Sequence, residues 1–227
     1  MAINIENYYK IKKQLAETKV TLVAVSKTKT REDILELYDL GQRDFGENYV
    51  QELVDKYEAL PKDIRWHFVG HLQTNKVKYI APFVQLIHGV DSEKLLAEIS
   101  KQGAKLNRMI PCLLQVYISK DETKFGFDAQ ELAILMTQIS DKKVAYPNAS
   151  VQGLMGMASF TDDSALILSE FNSLKLLFET AKFQLLTFNN QLPILSMGMS
   201  GDYMIAVEEG SNMVRIGSLL FGDRNDK

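Results

Sequence analysis

With a single cysteine, Cys112, among 227 residues, the chain cannot form an intrachain disulfide. That cysteine lies in the apolar run Ile110-Pro-Cys-Leu-Leu-Gln-Val116, where it reads as a small core residue. No apolar stretch is long enough to cross a bilayer, which excludes a helical membrane protein, and the polar, helix-like segment 1–13 is not expected to be a secretory leader. Basic charge is not in surplus: the formal net charge is −3, which leaves no electrostatic footprint for nucleic acid. Pro- or Gly-rich linkers, low-complexity tracts and charge blocks are lacking too, so nothing divides the chain. A hydrophobic content of 46% suits one large α/β domain over residues 1–227. The expectation is a soluble cytoplasmic protein with neither membrane nor nucleic acid as partner.

What the sequence does contain is a lysine in an informative place. Lys27 follows the run Thr21-Leu-Val-Ala-Val25, within Val-Ala-Val-Ser-Lys-Thr-Lys. Four successive hydrophobic residues, two of them β-branched, predict a buried parallel strand, which puts Lys27 at its carboxyl end. In α/β folds ligands bind at that end. Two readings stay open for the amine. It is either a solvated strand terminus or a partly desolvated, neutral nucleophile that condenses with an aldehyde.

Apolar strand-like runs recur along the chain at 21–26, 44–46, 66–70, 86–90, 109–118, 151–157, 192–197 and 213–216. Helical spacing falls between them at 31–40, 92–106 and 129–139, and the longest helix is expected within 163–183. Gly41 and Gly210 stand where helix C-caps belong. This alternation predicts an α/β fold, a single (β/α)₈ TIM barrel with an extra amino-terminal helix. The run at 44–46 is short and polar, and a flavodoxin-like open sheet is the alternative.

Near the carboxyl end, Ser196-Met-Gly-Met-Ser200 and Arg215-Ile-Gly-Ser218 each close an apolar run. In barrels the loops after the last two strands commonly bind phosphate: glycine admits close approach of the backbone, and serine adds a hydroxyl donor. Ordinary strand-ending turns are the other reading. Arg215 lies inside a predicted strand, and a buried arginine needs a partner, either a structural carboxylate or a ligand heteroatom.

These segments carry a family resemblance. Val-Ala-Val-Ser-Lys-Thr-Lys, Phe45-Gly-Glu-Asn-Tyr-Val-Gln-Glu52, Trp66-His-Phe-Val-Gly-His-Leu-Gln-Thr-Asn-Lys76, Gly153-Leu-Met155, Leu195-Ser-Met-Gly-Met-Ser200, Met213-Val-Arg-Ile-Gly-Ser218 and Phe221-Gly222 occur in order. Together the set resembles the pyridoxal phosphate homeostasis protein family, also called YggS/PROSC. The resemblance implies a barrel of the alanine-racemase amino-terminal type that holds pyridoxal 5′-phosphate (PLP) as an internal aldimine on Lys27. It further implies phosphate binding by Ser200, Gly217 and Ser218, Arg215 opposite the pyridine nitrogen, Asn48 near the ring, and Met155 beside it. The implied function is buffering or delivery of PLP, with PLP-dependent apoenzymes or amino acids as further partners, rather than efficient catalysis. Racemases of this type carry a second, β-rich domain that supplies a catalytic group across a dimer interface. The sequence shows no such domain after Phe221-Gly222, so a monomer is expected. A low-activity amino-acid racemase, or a phosphorylated-metabolite barrel enzyme without PLP, are the alternatives.

Other polar residues have plainer readings. His67 and His71, four apart, would share one face of a strand, but no cysteine or carboxylate cluster completes a metal site. His88 reads as a satisfied core or strand-end histidine. Glu47 and Glu52 read as charges at a helix start. Residues 73–78 are expected to begin a helix with solvated lysines, or with Asn75 and Lys76 at the site's mouth. Lys124, in the polar segment 120–126, is a candidate to cover the cofactor.

Overall fold

The computed structural model describes residues 3–119, 125–140, 146–186 and 192–222. Eight parallel strands form a closed barrel in chain order: β1 (Thr21–Val25), β2 (Asp44–Glu47), β3 (Arg65–Phe68), β4 (Leu86–Val90), β5 (Ile110–Gln115), β6 (Ala149–Met155), β7 (Ile194–Ser196) and β8 (Met213–Ile216). Closure runs from Thr21 opposite Met213 to Ala24 opposite Ile216. An open sheet would leave β1 and β8 as edges, so the flavodoxin-like alternative falls.

Helices α1 (Ile5–Ala16), α2 (Arg31–Asp39), α3 (Val50–Ala59), α4 (Val77–Ile80), α5 (Glu93–Lys105), α6 (Ala129–Ser140), α7 (Ser164–Leu186), α8 (Tyr203–Glu208) and α9 (Ser218–Phe221) accompany the strands. The expected amino-terminal helix is α1. Asn4 caps it, accepting the Asn7 N–H at 2.9 Å, and it buries Tyr8, Ile11 and Leu15. Helix α2 begins with a reciprocal capping box between Thr30 and Asp33. It ends at Gly41, whose φ of +95° is open to glycine without strain.

The weak run at 44–46 is a genuine strand, one residue longer than expected. Asp44, Phe45, Gly46 and Glu47 pair with Arg65, Trp66, His67 and Phe68 of β3, and Phe45 and Gly46 face Ala24 and Val25 of β1. Its polarity does not disqualify it, because partners hold both end carboxylates: Arg65 and His67 bond Asp44, while Lys56 and Ser26 bond Glu47.

Most of the core lies between the barrel and its helices. Inside the barrel a small apolar cluster comprises Val23, Leu86, Leu113, Met155 and Met213. Polar side chains share that interior. His88 of β4 meets Ser196 of β7 at 3.2 Å, and since β4 and β7 are not neighbours the contact crosses the barrel's inside.

Candidate functional site

Strands β6, β7, β8, β1 and β2 follow one another round the barrel, and the residues singled out in the sequence sit at their carboxyl ends. Met155 is the last residue of β6, Ser200 lies in the turn after β7, Gly217 follows β8 and Ser218 opens α9. Lys27, half-buried, stands two residues past β1, and Asn48 directly follows β2. One arc of the carboxyl rim therefore gathers them all.

The two Gly/Ser turns touch. The Gly217 N–H donates to Ser200 Oγ at 3.2 Å, and the Arg215 N–H donates to the Gly198 carbonyl at 3.0 Å. A Cβ on Gly217 would stand 3.2 Å from the Val25 carbonyl oxygen, so glycine lets the end of β8 lie against the end of β1. Gly198, at φ +97°, has no room for a side chain either: a Cβ would come 2.6 Å from that of Ala206.

Arg215 is 5% exposed, and the protein atoms that hold it are neutral oxygens rather than the structural carboxylate the sequence offered. Nη1 donates to the Ser196 carbonyl at 3.0 Å and to Ser196 Oγ at 2.7 Å, and Nη2 donates to the Gly156 carbonyl at 3.0 Å. Neutral acceptors thus hold the guanidinium. Burial lowers its pKa to about 10, against a smaller upward pull from Asp202, and it stays charged at neutral pH.

The turn bearing Lys27 is clamped from below. Thr28 adopts φ +63°, an unfavourable conformation for a β-branched residue, and its N–H donates to Glu52 Oε1 at 2.6 Å. Ser26 donates its hydroxyl to Glu47 Oε1 at 2.5 Å. Lys56, 5% exposed, binds Glu47 Oε1 at 2.8 Å, Glu52 Oε1 at 2.7 Å and the Ser26 carbonyl at 2.8 Å. Glu47 is fully buried, and its Oε2 has no hydrogen-bond partner. Burial raises its pKa to about 7, although Lys56 and Ser26 pull the other way. Glu47 is therefore a buried strand residue and not the helix-start charge expected of it; only Glu52, in the first turn of α3, fits that reading. Sequence reasoning missed this cluster, whose visible signal was the Glu52–Lys56 spacing of four on a helix.

The two histidines expected to share a face do not. Strand β3 ends at Phe68, so His71 lies beyond it, stacked on Phe125 with Nδ1 2.9 Å from Asp91 Oδ2. His67 points inward, with Nδ1 3.0 Å from His88 Nε2. His88 is the satisfied core histidine expected. Asn75 and Lys76 are exposed, and Lys124 lies outside the described residues.

Residues 4–225 match the family model for the alanine racemase N-terminal domain. The pyridoxal phosphate homeostasis protein of Aquifex aeolicus is 41% identical over 204 residues, covering 89% of this chain and 86% of the relative. Its namesake in Vibrio cholerae is 40% identical, covering 92% and 88%. PipY of Synechococcus elongatus, solved with PLP bound, has a TM-score of 0.85 at 34% identity over 96% of this chain and 99% of its own. Alanine racemase of Bartonella henselae shares the fold alone, with a TM-score of 0.71 at 16% identity, and this chain covers 58% of it. By the reach of the family match and the identity to these full-length relatives, the chain belongs to the alanine racemase N-terminal domain family and, within it, to the pyridoxal phosphate homeostasis proteins.

Proposed function

We propose that the protein holds PLP at the carboxyl rim of the barrel and buffers or delivers it to apoenzymes, as a cytoplasmic monomer. The observation that carries this reading is the convergence, on one arc, of an amine, paired Gly/Ser turns and a buried guanidinium. The donor set fits the cofactor group by group. Lys27 offers the amine for its aldehyde. Ser200 and Ser218 offer hydroxyl donors for its phosphate, and the Gly217 N–H, now on Ser200 Oγ, holds that hydroxyl in the same turn pair. Arg215 would be a donor-only partner for the ring nitrogen, with Asn48 near the ring and Met155, 1% exposed, lining the pocket beside it. The relatives' names and the PLP-bound PipY support the same cofactor.

PLP supplies an aldehyde that bonds to amines and a ring that draws electrons from them. A charged Arg215 can give that ring a hydrogen bond but cannot take a proton from it, so the ring nitrogen stays unprotonated and weakly electron-withdrawing. Such a site suits carriage of the cofactor better than carbanion chemistry.

The test is an absorbance spectrum before and after borohydride reduction, followed by peptide mapping. A visible band that disappears on reduction, with a pyridoxyl mass on Lys27, is expected. A label confined to another lysine overturns the assignment, and a protein that takes up no PLP overturns the reading. Amino-acid turnover by the loaded protein is expected to stay below a kcat/KM of about 10⁴ M⁻¹s⁻¹.

A further inference from the structure

A row of buried polar side chains joins Arg215 to the opposite end of the barrel. Ser196 Oγ accepts from Arg215 Nη1 at 2.7 Å and lies 3.2 Å from His88 Nδ1. His88 Nε2 lies 3.0 Å from His67 Nδ1, and His67 Nε2 lies 3.1 Å from Asp44 Oδ1. Asp44, the first residue of β2, also accepts from Arg65 Nε at 2.7 Å and from Nη2 at 2.5 Å. That end borders a cavity of about 270 Å³ at the amino-terminal mouth, lined by Thr21, Gln85 and Gln152 as well as Asp44, Arg65 and His67.

The direction of the hydrogens follows from the Asp44 end. An ionised Asp44 only accepts, so His67 carries a hydrogen on Nε2 and donates it to Asp44. The Nδ1 of such a neutral ring accepts from His88 Nε2, and His88 Nδ1 then accepts the Ser196 hydroxyl hydrogen. Arg215, which only donates, takes a lone pair of Ser196 Oγ. Both ends are set independently. Arg215 stays charged, and Asp44 stays ionised because, against the upward effect of burial, hydrogen bonds from Arg65 and His67 lower its pKa to about 2. His88 is held neutral by burial first, then by His67 and Arg215.

We propose that His88 and Ser196, oriented through His67 by the Asp44 carboxylate at the far mouth, are positioning residues that fix the Arg215 guanidinium for the cofactor ring. This rests on the reading of Arg215 as the ring's partner. Both Nη1 hydrogens go to Ser196 and Nη2 donates to the Gly156 carbonyl, which fixes the guanidinium plane.

The test is ¹⁵N NMR of histidine-labelled protein near neutral pH, with and without PLP, alongside equilibrium dialysis of PLP. In the wild type, His67 and His88 are each expected to carry a hydrogen on Nε2 even without PLP, His88 as the neutral tautomer. Asp44→Asn, remote from the rim, is expected to give His67 a mixture of tautomers and to shift the visible band of bound PLP. Ser196→Ala is expected to weaken PLP binding up to about tenfold, less than the roughly 10- to 100-fold worth of a hydrogen bond made to the ligand itself, because Ser196 acts through Arg215. An Nδ1–H or charged His88 in the wild type would overturn the proposal, as would PLP binding and spectra left unchanged by both substitutions. Should Ser196→Ala fail to fold, the wild-type tautomers and Asp44→Asn still decide. Normal PLP binding with the wrong tautomer refutes the chain alone, whereas a wild type that takes no PLP refutes the cofactor reading and with it the purpose assigned to the chain.

Discussion

Replacing Lys56 with methionine is expected to destabilise the protein by an amount that grows with pH. Methionine keeps the aliphatic packing but removes the ammonium that bonds Glu47, Glu52 and the Ser26 carbonyl. Where Glu47 is ionised, the substitution strands a buried carboxylate with only the Ser26 hydroxyl, at a cost of about 3–5 kcal/mol. Where Glu47 is protonated, only hydrogen bonds are lost, about 1–3 kcal/mol. In the wild type the folded-state pKa of Glu47, about 7, lies above its ordinary 4.5. Its contribution to stability is therefore complete below pH 4.5 and lost as pH rises through about 7, a swing of roughly 3 kcal/mol. Removing Lys56 raises that pKa further, so the gap between mutant and wild type widens above neutrality. Urea denaturation of Lys56→Met, Glu47→Gln and the double mutant, at about pH 5 and about pH 8.5, measures each part. The double mutant is expected to lose less than the sum of the singles at the higher pH, and Glu47→Gln to flatten the pH slope. A Lys56→Met cost equal at both pH values, or strictly additive with Glu47→Gln, would refute the reasoning.

Ser200→Ala and Ser218→Ala are each expected to weaken PLP binding about 10- to 100-fold without unfolding the protein, since each removes one hydroxyl bond to a charged group and leaves the backbone donors. Unchanged affinity in the double mutant, by equilibrium titration, would put the phosphate elsewhere. Gly70→Ala is expected to cost about 1–3 kcal/mol and to reduce PLP affinity together with stability, because its Cβ would strike the Asn48 carbonyl oxygen and lie 2.8 Å from Asn48 Cα. A thermal melt and a titration both at the wild-type values would show that Asn48 can move without consequence.

The barrel was legible where its strands are apolar runs, and Lys27 was placed at a strand end by that pattern alone. The roles given to Asn48, Met155 and the serines came instead from the ordered motifs, because periodicity says nothing about which turn meets which. Glu47 was misread for a physical reason: a carboxylate next to a helix start looks solvated unless its partner is known, and Lys56 reaches it only after α3 packs on β2. The His67–His88–Ser196 row was invisible for a similar reason. Its members come from β3, β4 and β7, and they meet only across a closed interior. His71 was paired with His67 because the run through Val69 and Gly70 looked like continuous strand. Gly70 instead packs so tightly against the Asn48 backbone that a side chain would not fit, and the strand stops at Phe68.

The pairing of β1 with β8 also bears on how the protein comes into being. Lys27 leaves the ribosome about 190 residues before Gly217 and Ser218. Six of the eight strands lie between β1 and β8, so the contact from Thr21 to Met213 is of long range and of a slow kind to form. Until it forms, amine and anion donors belong to distant, unjoined segments of a nascent polypeptide. Capture of the cofactor by the complete donor set is then an event of the finished fold, and chains truncated before β8 would mature without it.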